Sequence, residues 1–171
     1  MAMPRKLKNL NLFNEGNSYV GVAKSVTLPA LGRKMESYRG GGMNGPVKAD
    51  LGMSDDGIQF EWKTGGLDLI SLKQFGAVNA SSVGLRFSGT FQQDDTGDIS
   101  AVEVILRGRH ESIEMGDAKP GDDTEHSIKT TCTYYKLVVD NEEIIEIDLL
   151  NFIEKVNGVD LLEKQRSALG I

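Results

Sequence analysis

The sequence is poor in the residues that build covalent frameworks and reactive centres. It has one cysteine (Cys132), two histidines (His110 and His126), one tryptophan (Trp62) and four prolines in 171 residues. A lone cysteine closes no intrachain disulfide, so the fold does not depend on an oxidising compartment. Two histidines without an HxH or HxxxH spacing do not make a zinc centre, which needs three or four ligands. They read as surface or hydrogen-bonded side chains, and no metal or cofactor is expected. Aromatics are 6% of the chain, too few for an aromatic-lined ligand cleft. Long apolar runs are missing as well. Arg5, Lys6 and Lys8 are followed by Leu10, Leu12 and Phe13, but asparagines interleave them. That pattern suits neither a signal peptide nor a membrane span, and a cytoplasmic address in the producing cell is expected. Positive charge is the minority: 19 Lys and Arg against 25 Asp and Glu give −6 and a pI near 5.0. This disfavours nonspecific affinity for nucleic acid, because displacing phosphate counterions takes Lys and Arg.

What is present is alternation. Ile58, Phe60 and Trp62 alternate with Gln59, Glu61 and Lys63; Leu85, Phe87, Gly89 and Phe91 alternate with Arg86, Ser88, Thr90 and Gln92. Period two marks strands with one face on a core. Further strands are expected over 10–12, 19–28, 32–39, 47–51, 102–113, 127–139 and 144–148, the first two forming a hairpin around Asn14–Asn17. Gly, Asn and Asp clusters separate them. Leu67–Phe75 reads as a short helix with Leu69, Leu72 and Phe75 toward the core. Asp160–Leu169 reads as a second, with Asp160 as N-cap and Gly170 as its stop. The expected class is mainly β with minor α: one domain of packed antiparallel sheets, a sandwich or barrel. The 127–139 strand would span about 40 Å at ~3.3 Å per residue. That outruns a core of this size, and a strand that outruns its own core usually pairs with something else.

Reactive constellations are not found. Gly40–Gly45 lacks the GK[ST] ending and a following helix, so it is no phosphate cradle; it reads as a flexible or partner-ordered loop. Cys132 lies mid-strand without a base or a helix N-terminus and reads as packing. The acidic segment Met115–Glu125 lacks a calcium-loop register. Tyr134 and Tyr135 fall on opposite strand faces and form no base-stacking platform.

Several segments, in order along nearly the whole chain, resemble the major tail tube proteins of contractile-tailed phages and the tubes of R-type pyocins. They are Asn9–Phe13, Thr27–Leu31, Tyr38–Met43 with Pro46-Val47, Leu106–Gly108, Gly116-Asp117 with Lys119–Gly121, Tyr134–Leu137, Glu146–Asp148, Asn157–Asp160 and Leu169-Gly170. The resemblance implies a tail tube domain over 1–171 that assembles as hexameric rings stacked into a hollow tube. It implies a place in the virion tail, assembled in the host cytoplasm, with sheath, tape measure, baseplate and tail terminator proteins as partners and DNA passing without specific binding. It brings no catalytic residues, and no enzyme activity is expected. Within it, a glycine-rich segment around 39–57 reaches neighbouring subunits, so Tyr38, Arg39, Gly40, Gly41, Gly42, Met43, Pro46 and Val47 are candidate interface residues, mobile in the monomer and ordered on assembly. The polar rows Gln59, Glu61, Lys63 and Arg86, Ser88, Thr90, Gln92 are candidates for a neutral or acidic lumen wall that would not hold DNA phosphates. Two other readings are a headless tailocin or injection-system tube and, on weaker grounds, a monomeric ligand-binding sandwich.

Overall fold

A computed structural model describes residues 1–171. Twelve strands and two short helices follow in order: β1 Arg5–Asn14, β2 Asn17–Ser18, β3 Ala23–Thr27, β4 Arg33–Tyr38, β5 Val47–Met53, β6 Ile58–Thr64, α1 Leu69–Gln74, β7 Val83–Gln93, β8 Ile99–Glu114, β9 His126–Val139, β10 Glu142–Asp148, β11 Ile153–Val156, β12 Val159–Asp160 and α2 Glu163–Leu169. All pairing is antiparallel. The main sheet runs β12-β11-β10-β9-β8-β7-β1-β2, with β3-β6 joined to β9; β4 and β5 form a separate hairpin.

The two longest strands organise everything else. β9 pairs with β6 over His126–Cys132 and with β10 over Tyr134–Val139, while β8 runs along its other edge. β8 pairs with β7 only as far as Gly108. The sheet therefore folds over on itself, and the β3–β6 layer faces the β7–β1 layer across one core. Ile58, Phe60, Trp62, Val83, Leu85, Phe87, Val104 and Leu106 fill it at 2% exposure or less. The alternation in β6 and β7 is thus the alternation of core against exterior. At the fold, the register shifts between Arg107 and Gly108. A Cβ on Gly108 would lie 2.1 Å from the Thr131 carbonyl oxygen, so only glycine lets the two backbones approach there.

Three expectations change. The first hairpin is not 10–12 with 19–28: β1 starts at Arg5 and pairs along its length with β7, returning only as the two-residue β2. β3 pairs instead with β6. Local alternation could not reveal that partner choice. The C-terminal segment also holds two strands that were missed, β11 and β12, each too short to show a period. Asp160 is not the cap of α2, which starts at Glu163; it accepts from the Leu162 N–H and pairs with Arg166. Gly170 does end α2, in the left-handed conformation at φ 74°.

Candidate assembly surfaces

The β4–β5 hairpin is an arm rather than part of the core. Every residue of β4 is exposed, and of β5 only Met53 is partly covered. An isolated two-stranded hairpin is marginal in water. Its root is held by Arg33, which pairs with the buried Glu154 of β11 and lies 3.6 Å from Asp50. Hydrogen bonding to Glu154 pushes the Arg33 guanidinium pKa further up. Tyr38 and Val47 sit opposite each other at the far end, 64% and 60% exposed. Directly opposed residues share a face, so Tyr38, Val47, Glu36 and Ala49 present one side of the arm. Gly40, Gly41, Gly42 and Met43 make a tight turn. The Met43 N–H donates to the Gly40 carbonyl at 3.3 Å, and Arg39 Nε donates to the Met43 carbonyl at 3.2 Å. Gly42 has φ 84°, which a side chain would strain. Pro46 is exposed where β5 begins.

The two polar rows lie on different surfaces. Gln59, Glu61 and Lys63 of β6 continue sideways into Ser25 and Thr27 of β3 and Ser127, Lys129 and Thr131 of β9. This face is polar throughout and carries both signs of charge: Lys63 pairs with Glu125 at 3.2 Å, and Lys129 lies 3.9 Å from Glu111. Lys24 ties the acidic loop to the same edge through Asp123 and Glu125 at 2.7 and 3.1 Å. That pairing holds both carboxyls below the usual carboxylate range. Arg86, Ser88, Thr90 and Gln92 of β7 point away from the core on the opposite layer. They too lie among polar partners, Asn11 beside Ser88 and Glu103 3.4 Å from Arg86, but here cations also stack on rings: the Arg86 guanidinium on Phe13 at 4.1 Å and Arg107 on Tyr134 at 4.7 Å.

Helix α1 differs from its sequence expectation. The polar residues Asp68, Ser71 and Gln74, spaced three apart, face inward, while Leu69 and Phe75 are 57% and 60% exposed. Asp68 caps the helix by accepting from the Ile70 N–H, and its other oxygen accepts from Tyr19 Oη (2.7 Å) and Ser71 Oγ. Gln74 exchanges two amide hydrogen bonds with Asn14, at 2.7 and 2.9 Å. His110 lies between Gln74 Oε1 (2.9 Å) and Thr130 Oγ1 (2.8 Å). Gln74 Oε1 can only accept, so His110 carries its proton on Nε2, and Thr130 donates to Nδ1. Desolvation holds the His110 pKa down at about 4 and pushes Tyr19 up to about 12. Trp62 packs against both rings, and its Nε1 has no partner. Apart from that indole N–H the polar groups here are paired, as most buried polar groups are, and this network anchors α1 through its polar side. The i, i+3, i+6 row of Asp68, Ser71 and Gln74 was the available signal; the leucines obscured it. His126 is buried too, so neither histidine is on the surface. Cys132 is a packed strand residue whose thiol burial pushes up to about 12.

A two-layer β domain with a standing arm, a wholly polar sheet face and an apolar patch on its outer helix is built as an assembly subunit. The phage tail tube protein FII family matches residues 4–170, and the chain belongs to that family. It is 52% identical to the tail tube protein of Escherichia phage P2, across the whole of both chains. It is 42% identical to the major tail tube protein of Serratia phage KSP20, covering all of this chain and 99% of that one. Among solved structures, it resembles a chain of an extracellular contractile injection system, the PVC sheath–tube complex in the extended state. That match has a TM-score of 0.58 and 12% identity over 78% of this chain and 90% of the other. A chain of the anti-feeding prophage baseplate matches at a TM-score of 0.52 and 9% identity, over 81% and 97%. The last two likenesses are of fold. The protein is a tail tube protein, a structural subunit of a contractile tail.

Proposed function

We propose that this chain assembles as hexameric rings that stack into the hollow inner tube of a contractile tail, the conduit through which a genome leaves. The arm is the observation that carries this reading. A hairpin with nearly every side chain in water, held to the core at one end, has its stabilising contacts outside its own chain. Tyr38, Arg39, the 40–43 turn, Pro46 and Val47 then meet a neighbouring subunit. Ring contacts are heterologous and closed, and stacking contacts are open, so tube length is set elsewhere. Sheath, baseplate, tape measure and terminator proteins are the partners of such a tube in the virion tail.

For the lumen, the β6 row Gln59, Glu61 and Lys63 is favoured over the β7 row. Its whole face is polar and of mixed sign, which suits a water-filled bore that does not hold phosphates. Arg86 and Arg107, stacked on rings, suit a covered surface better. Electron microscopy of purified protein at high concentration should show rings or tubes, and a chain that stays monomeric under all conditions would contradict the proposal. Single cysteines at Gln59 and Ser88, read with a bulky maleimide on assembled tubes, decide the wall. Free labelling at Gln59 with protection at Ser88 would reverse the assignment. Amide exchange across 39–47 should slow on assembly; equal protection in both states would remove the arm from the interface.

A further inference from the structure

Two apolar surfaces on this chain lie outside the arm tip and both polar rows. The first is convex. Leu67, Leu69, Phe75 and Val78 stand 57–92% exposed around α1, although the side of α1 facing the core carries Asp68, Ser71 and Gln74 beside Ile70. Lys73 lies one helical turn after Leu69 on the same outer side and makes no ion pair in the chain; the only other charged residue from 67 to 78, Asp68, is buried. A helix that turns Ser71, Gln74 and its cap Asp68 inward while Leu69 and the flanking Leu67 and Phe75 stand exposed departs from the ordinary amphipathic arrangement. Arg109 of β8 also reaches this surface, donating to the Val78 carbonyl at 3.3 Å, so the patch is apolar with two cations, Lys73 and Arg109, beside it.

The second surface is concave. A groove of about 760 Å³ runs between the root of the arm, the β10–β11 turn and the segment before α2. Its apolar wall includes Leu51, Leu149, Phe152 and Leu161. One cation, Arg33, faces three carboxylates there, Asp50, Asp148 and Glu154. Arg33 is already engaged by Glu154, so the groove keeps an excess of negative charge.

We propose that α1 of one copy seats in this groove on the next copy. The inference rests on the assembly reading above and specifies one of its contacts. Neither surface can pair with its own kind, since knob would meet knob and groove would meet groove, with like charges opposed. Knob into groove brings leucines to leucines and Lys73 to Asp50 and Asp148. Such a contact is head-to-tail, the form from which rings and stacks are made. It also explains this arrangement of α1: the polar network anchors the helix so that its apolar side is left for a neighbour. Because the groove includes Arg33 and Leu51 from the arm's root, seating the helix there fixes the direction of the arm.

The test uses full-length chains carrying Leu69→Asp with Phe75→Ser (knob) or Leu51→Asp with Leu161→Asp (groove). All four positions are exposed, so circular dichroism and Tm should match wild type. A Leu69→Ser plus Leu161→Ser set covers any variant that misfolds. Light scattering and electron microscopy should show each variant needing roughly tenfold or more protein to form rings, as for loss of an interface anchor. Mixing knob and groove variants one to one should give heterodimers that grow no further, since the mixed pair retains one intact knob and one intact groove. Rings or tubes from either variant at wild-type concentration would overturn the proposal and leave the assembly reading standing. If those tubes also fail to take up sheath protein, the knob belongs to the sheath, which overturns it equally. A wild-type chain that never assembles would remove the assembly reading itself, and this contact with it.

Discussion

Strand β6 and helix α1 are four residues apart in the chain and lie against the same core, yet they meet it in opposite ways. β6 buries Ile58, Phe60 and Trp62 and gives water Gln59, Glu61 and Lys63. α1 buries Asp68 and Ser71 and gives water Leu69 and Phe75. For β6 the hydrophobic effect decides, at about 1.5–3 kcal/mol for each large apolar side chain buried. For α1 a hydrogen-bonded network works beside the partly buried Ile70, and each of its groups would be costly if left unpaired. A surface that faces solvent in service can be read from polarity, whereas one that awaits a partner cannot.

That contrast can be broken most strongly from the β6 side. Trp62→Ala should cost about 3–5 kcal/mol in urea unfolding, because it empties the centre of the core beside Tyr19 and His110. Next comes the network under α1. Asp68→Ala removes the helix cap and leaves the Tyr19 and Ser71 hydroxyls without their acceptor. The expected loss is about 2–4 kcal/mol, and Asp68→Asn, which keeps an acceptor, should lose less.

A third effect concerns pH. His110 is neutral in the fold with its pKa near 4, while in the unfolded chain it titrates near 6.5. Between those values the unfolded state holds the extra proton, so stability falls as pH drops from about 6.5 to about 4 and levels off below. At about 1.4 kcal/mol per pKa unit the full effect is on the order of 3 kcal/mol. Burial is the cause; the nearby Asp68 carboxylate opposes it, favouring the protonated ring. The imidazole signals should stay untitrated by NMR down to about pH 4, and His110→Gln should flatten the slope in this window. Asp123 and Glu125, held low by Lys24, act in the other direction of titration: their contribution is present above the ordinary carboxylate range and is lost as pH falls through their depressed values. The smallest effect sharpens the comparison most. Leu69→Ser should change monomer stability by less than about 0.5 kcal/mol, as thermal unfolding would check, whereas an equally apolar residue of β6 would not tolerate the change.

Much of this architecture was open to reading from residues. The rows in β6 and β7 marked the strands and the core face of each. The length of β9 suggested a strand that outruns its own core, but β6, β10 and β8 of the same chain take up both of its edges. The order of short segments over the full chain indicated the tail tube family, which the match over 4–170 bears out. α1 was misread because Leu69, Leu72 and Phe75 carry more hydrophobicity than Asp68, Ser71 and Gln74, and periodicity weighs only that. The partners that reverse it lie far away: Asn14 is 60 residues from Gln74, and Tyr19 is 49 from Asp68.

The sequence by itself determined the β class, the alternating faces and the poverty of reactive groups, because these rest on neighbours one to four residues apart. Its single cysteine leaves no intrachain disulfide whatever the fold. Tertiary structure alone decided which apolar and polar groups stay exposed. Bringing β8 and β9 together at Gly108 folds the sheet over, and that fold sends the two polar rows to opposite surfaces. It also closes the polar network that anchors α1. Such outcomes depend on pairings across the whole chain, which no local pattern encodes.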